Sequence, residues 1–233
     1  MPLRSASELR RLLRGRLRGH AVAVPDAVHV ARALVDGGCR VGLEHAPGPG
    51  EDSASVLLEL VRRIDEAGLA PAVELTLPLD RLPADDARRV ATEAAYAGLG
   101  VLLAGPGDVV DAAELPGAGV AVAAGEPGAE ARCRALAGGH VRLLAGPGRN
   151  AATDLAFVRC LNVLMAAEGH PGIAVPDARL IAIAGERAAW NGRPPDSWEL
   201  VMPYGVLVHE QRRLVAAGDT VRVAVSVTPG GRS

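Results

Sequence analysis

The side chains of this chain that could do chemistry are few, and they fall at the ends of apolar runs: Glu44, His45, Glu74, Thr76, Arg149, Asn150, Asp177 and Tyr204. Glu44, His45 and Glu74 supply a histidine and two carboxylates, a donor set that suits a divalent metal. They come from adjacent strands, so such a site is conceivable. No denser motif accompanies them, and no metal site is assigned. As a general base His45 needs an orienting partner, which its neighbour cannot be, and it reads as a loop histidine without chemistry. Asp177 follows Pro176, a pairing that suits the first turn of a helix and makes the carboxylate a cap. Tyr204 precedes Gly205, and its phenol could face a ligand beside that turn.

The stretch Leu-Leu-Ala-Gly-Pro-Gly occurs twice, at 102–107 and 143–148. A phosphate loop would follow its glycines with lysine and a hydroxyl residue. The first copy is followed by Asp108 and the second by Arg149, and Pro106 and Pro147 have no N–H to donate. The repeat therefore reads as two strands leaving a core through tight turns. The second copy keeps one way to hold an anion, through Arg149 and the start of a helix near Ala151.

Composition narrows the choice of partner. All 25 basic residues are arginine, which removes lysine chemistry altogether. Aromatic residues make up 2% of the 233 positions, too few to stack nucleic-acid bases, and the net charge of -2 gives no pull toward nucleic acid. Cys39, Cys133 and Cys160 are an odd, widely spaced set, read as buried free thiols in a reducing compartment. The arginine-rich start lacks the apolar core of a secretory signal, and no run approaches the roughly 18 apolar residues of a membrane span. A cytoplasmic chain with at most peripheral membrane contact is expected.

The elements that must position these side chains alternate regularly. Strands are expected over 40–45, 69–77, 99–104, 118–124, 140–145, 171–175, 198–205 and 220–225. Helices are expected over 51–67, 84–97, 127–137, 151–168, 177–190 and 208–217. A capping box at Ser5 and Glu8 opens an earlier helix, and Pro25 opens another that turns Ala27, Val30, Ala31 and Leu34 inward. Apolar strands between amphipathic helices indicate a parallel sheet covered by helices. Eight of them favour an α/β fold closed as a (βα)8 barrel, with a doubly wound open sheet as the alternative. The expected layout is an N-terminal helical segment over 1–38, the barrel over 39–228 and a short tail over 229–233. Trp190 and Trp198 are expected to cover the barrel edge.

The stretch Ser197–Val225 resembles the end of the bacterial proline dehydrogenase family, in its Met202-x-Tyr204-Gly205 turn, Gln211-Arg212 helix and Arg222-Val223-x-Val225 strand. Val73–Thr76, His140–Gly146, Pro176–Ala184 and Gly38–His45 are similar to earlier strands of that family, so the likeness extends over roughly 20–225. It implies a barrel that binds FAD non-covalently, oxidises proline to the cyclic imine and passes electrons to a membrane quinone. The same likeness marks departures. Glu74 stands where the family has a lysine near flavin and substrate. Strand five has Ala145, Gly146, Pro147 and Gly148 in place of Lys-Gly-x-Tyr, and strand six has Val175, Pro176 and Asp177 in place of Thr-His-Asp. The arginine-bearing helix that follows the family's last strand has no counterpart before Ser233. Each missing charged contact is worth about 2–4 kcal/mol, so the set removes many decades of rate.

The expected function is therefore a degenerate proline dehydrogenase-like barrel with a binding or scaffolding role; the alternative is an FAD-dependent oxidoreductase acting on L-proline or a related cyclic amino acid. Glu74 and Tyr204 are the candidates for catalysis, and Gly146, Arg149 and Asp177 for cofactor contact. Without a last helix, the outer faces of the first and last strands would be partly bare and would invite a second copy or another protein.

Overall fold

The computed structural model describes residues 21–45, 51–106, 115–145, 151–175 and 177–228. The helix expected over the first twenty residues lies outside them. In chain order the elements are β1 (Val22–Ala23), α1 (Val24–Asp36), β2 (Arg40–His45), α2 (Ser53–Glu66), β3 (Val73–Pro78), α3 (Ala84–Tyr96), β4 (Gly100–Ala104), β5 (Gly119–Ala123), α4 (Ala129–Leu136), β6 (Val141–Leu144), α5 (Ala151–Met165), β7 (Gly172–Ala174), α6 (Ala178–Trp190), β8 (Glu199–Pro203), α7 (Val208–Ala216) and β9 (Val221–Thr228). The sheet order is β1-β9-β2-β3-β4-β5-β6-β7-β8, and β8 also pairs with β9, which closes the ring. This is an α/β barrel of the TIM type: among the described residues eight parallel strands, β2–β9, form the ring, the two-residue β1 adds beside β9, and seven α-helices accompany them.

Local chemistry accounts for where the elements start and stop. Asp52 caps α2 by accepting from the Ser55 backbone N–H at 3.2 Å and from its hydroxyl at 2.6 Å. At the far end of α2, Gly68 takes φ 68° while Leu69 N–H donates to the Ile64 carbonyl at 3.1 Å. Gly98 repeats the device after α3, at φ 84° with Leu99 N–H on the Ala94 carbonyl. A left-handed residue there reverses the chain toward the next strand, and glycine takes that conformation at least steric cost.

The chain divides into two compact units. The first contains β1–β4, β9 and α1–α3. Its register sets Ala224, Gly42, Glu74 and Gly100 in one row, and Ser226, Glu44, Thr76 and Leu102 in the next. Alternate positions, Val41, Leu43, Leu75, Leu77, Val223 and Val225, are buried aliphatics on the face covered by helices. The row residues occupy the other face, which a closed barrel turns inward.

The outer faces expected to be bare beside β9 and β2 are not. Val22 and Ala23 pair with Val227 and Thr228, and α1 then crosses over to β2, the strand paired with β9 along Arg40–His45. Helix α1 packs on β2 and α2 and buries Ala27 and Ala31 completely. Val41, Leu43, Val223, Val225 and Val227 are fully buried. The short β1, too brief to read as a strand from the sequence, leads into α1, the helix that packs on β2.

The second unit contains β5–β8, α4–α6 and most of α7. Its register sets Ala121, Arg142, Gly172 and Glu199 in one row. Phe157, Cys160, Leu161 and Leu164 from α5 fill its core with Leu143, Ile173 and Leu200. Of the two tryptophans, Trp198 is buried but Trp190 is 81% exposed, because it is the last residue of α6 and points away from the sheet. The edge-covering role expected of it is not seen.

Candidate functional site

Glu74 is 3% exposed on the inward face of β3, and the register explains how a carboxylate fits there. Its neighbours in the row are Gly42 and Gly100, which have no side chains to occupy the space. A Cβ placed on Gly100 would lie 3.3 Å from Glu74 Cγ. One row nearer the strand C-termini stand Glu44 and Thr76, paired with each other, with Ser226 beside Glu44 on β9. Thr76 is 6% exposed, and among the described residues its hydroxyl has no hydrogen-bond partner. A buried hydroxyl left in that state is a polar point at which a ligand would gain. Tyr204 follows β8 and is fixed through its backbone, its N–H donating to the Ala224 carbonyl at 2.9 Å; Gly205 then turns the chain at φ 75°. Its side chain is half-buried.

His45 is not the loop histidine expected. It is the last residue of β2, and it shares the helix-covered face with Val41 and Leu43, opposite Glu44. Its Nε2 lies 3.4 Å from Glu51 Oε1. Burial pushes the imidazole below its ordinary value, against the pull of the Glu51 carboxylate. The partner that sequence adjacency could not offer comes from six residues on. The pair sits between sheet and helices, so a three-ligand site of Glu44, His45 and Glu74 is ruled out by the facing of the strand.

In the second unit the row through Arg142 carries charge as well. Arg142 and Glu199 are 1% and 0% exposed, with Nη2 and Oε1 3.7 Å apart across Gly172. Glycine again makes the room, since a Cβ on Gly172 would lie 3.2 Å from Glu199 Oε1. At the start of β6, His140 Nδ1–H donates to the His170 carbonyl at 2.8 Å, and His170 Nε2–H to the Asp196 carbonyl at 3.0 Å. Gly119 admits the His140 ring, whose Cδ2 would collide with any Cβ there. Asp177 caps α6, its carboxylate accepting from Leu180 N–H at 3.0 Å. Gly146, Arg149 and Asn150 lie outside the described residues.

Arg142, Glu199 and Arg222 were not among the sequence candidates. Arg222 is 7% exposed and donates to the Val41 carbonyl at 2.9 Å. Their signal is a single charge inside a short apolar strand, as in Val73–Leu77, Val141–Leu144, Glu199–Met202 and Val221–Val225. Glycine stands beside Glu74 and between Arg142 and Glu199, whereas Arg222 pairs with Arg40.

A flavin fits the described candidates poorly. The reduced ring gains electron density and is stabilised by a cation or donor nearby. Glu74 presents an acceptor that is negative when ionised, and the Asp177 carboxylate is engaged by its own helix.

No protein-family model matches the chain, and no curated protein matches it in sequence. Solved structures do. Proline utilization A (PutA) from Bdellovibrio bacteriovorus, inactivated by N-propargylglycine, aligns with TM-score 0.78 and 15% identity over 96% of this chain and 32% of that one. PutA from Corynebacterium freiburgense aligns with TM-score 0.70 and 16% identity over 96% and 30%. A point mutant of the Bradyrhizobium japonicum protein gives 0.64 and 20% over 84% and 28%. The chain thus spans about a third of the length of the solved proteins it matches. At these identities the likeness is one of fold, and that fold is the proline dehydrogenase-like barrel.

Proposed function

We propose that this chain is a proline dehydrogenase-like barrel in which amine oxidation has been lost and the inward face serves binding. The observation that carries the reading is Glu74: a carboxylate buried between Gly42 and Gly100, at the position where the resembling family has a lysine near flavin and substrate. Oxidising an α-amino acid by hydride transfer requires cations for the carboxylate and for the flavin ring. Glu74 reverses the charge at one of those points, and the neighbouring row offers Glu44, Thr76 and Ser226, none of them cationic. The unpartnered Thr76 hydroxyl favours a site that still receives a small polar ligand. Buried free thiols suit a reducing, cytoplasmic setting, and no helix of the described residues is long and apolar enough to cross a membrane.

An FAD-dependent oxidoreductase acting on L-proline or a related cyclic amino acid is the second reading, favoured by the extent of the fold overlap with PutA. The two separate in one assay. The chain, incubated with excess FAD, L-proline and an artificial electron acceptor, is expected to reduce the acceptor no faster than FAD alone. Proline-dependent reduction above that background, abolished by heat, would establish the oxidoreductase.

A further inference from the structure

Glu44 stands between two hydroxyl residues. The register pairs it with Thr76 on β3 and with Ser226 on β9, all on the inward face of the first unit and toward the C-terminal ends of their strands. Neighbours in such a row have Cα atoms about 4.8 Å apart, so a carboxylate and its two flanking hydroxyls can reach one small group. Thr76 is 6% exposed, and its hydroxyl has no hydrogen-bond partner among the described residues. Glu44 and Ser226 are half-buried and give the row its access to solvent. Beside the three polar residues the face turns apolar. Leu102 continues the row and Pro78 pairs with Ala104 in the next, all three buried.

We infer that this row is a binding site for a small primary aliphatic amine, held as its ammonium ion; this rests on the binding reading above and names the ligand's chemistry. A primary ammonium carries three N–H donors and no acceptor. Glu44 supplies the countercharge and accepts one N–H, and the Thr76 and Ser226 hydroxyls accept the other two. The hydrocarbon part then lies over Leu102, Pro78 and Ala104, where removing its apolar surface from water adds to binding.

Other ligands match the row less well. An amino acid brings a carboxylate, and no lysine or arginine stands in these two rows among the described residues to receive it. A calcium ion takes about six to eight oxygens, carboxylates foremost, and this row has one carboxylate. A neutral polyol brings no charge to meet Glu44. Thr76 discriminates most sharply, because a ligand N–H gives its buried hydroxyl a partner.

The test follows the melting temperature of the full chain at neutral pH while n-butylamine hydrochloride is added at constant ionic strength. A saturable rise is expected, with none from L-proline, glycerol or calcium chloride over the same range. Thr76→Val and Glu44→Gln should each weaken the apparent affinity by about tenfold or more, whereas Thr76→Ser, which keeps the hydroxyl, should respond as the unaltered chain does. Valine replaces a buried hydroxyl that lacks a partner, so Thr76→Val should itself melt no lower, and its lost response is then not a lost fold. No saturable rise with n-butylamine, an equal rise with glycerol or calcium, or a full response in Thr76→Val would overturn the inference. A chain inert to L-proline and to n-butylamine alike sinks only the amine site, while proline oxidation in the assay above sinks the binding reading itself.

Discussion

At the scale of single residues, the barrel is distinguished by the charges it buries and the glycines that admit them. Arg142 and Glu199 share a row with Gly172 between them, and Glu74 lies between Gly42 and Gly100. Burying ions is costly, and removing one partner of a buried pair strands the other in a medium of low dielectric. Arg142→Met should therefore cost about 3–5 kcal/mol of unfolding free energy, and Glu199→Leu a similar amount. The double variant should cost clearly less than the sum of the two, because no uncompensated charge remains from this pair. Urea unfolding of the four proteins measures this. Additive losses would show that the two side chains, 3.7 Å apart, do not act as a pair. The same residues mark the limit of reading a sequence without its register. Glu74 is conspicuous through the family resemblance, whereas nothing in the sequence links Arg142 with Glu199. Only the pairing through Gly172 reveals that they meet.

At the scale of elements, most strands and helices were legible to within one to three residues, although the strand expected over 69–77 begins only at Val73. The expected strand over 40–45 is β2 as found, and the expected helix over 84–97 differs from α3 by one position. Continuous aliphatic runs bounded by glycine turns leave little freedom, since only a parallel strand covered by helices buries both faces. Where the reading fell short, packing decided: β1 is two residues long and exists because β9 offers it a partner, and no periodicity announces it. The candidate site was less legible because polar residues at strand ends, such as Tyr204, follow neither the apolar period nor a register visible in the sequence. Connections outside the sheet can also be decisive for packing. Arg193, beyond α6, donates from Nη2 to the carbonyls of Gly169 at 2.5 Å and Ser197 at 2.6 Å, from Nε to the Ser197 hydroxyl at 3.1 Å, and from Nη1 to the Ala167 carbonyl. One guanidinium thus holds the turn before β7 to the turn before β8. Lysine keeps the charge but not the planar fork, so Arg193→Lys should lower stability by about 2 kcal/mol, read as a fall in the urea midpoint at unchanged slope. An unchanged midpoint would mean that the two turns hold themselves.

At the scale of the whole molecule, architecture and chemistry separate. The (βα)8 fold overlaps PutA structures over nearly the full chain at 15–16% identity, so the likeness is one of architecture and the chemistry has to be argued from the site. A barrel is held together by its apolar strands and helix faces, and these tolerate exchange of the inward polar residues so long as volume and charge are balanced. The proposed loss of cations would thus be compatible with this fold, and it is the cofactor that should register the change. The most direct measurement is the visible absorption spectrum of the purified chain, taken before and after incubation with excess FAD and removal of what is free. The account predicts a colourless protein in both spectra, with no flavin retained. Retention of close to one flavin per chain, with bands that bleach on adding L-proline, would contradict it.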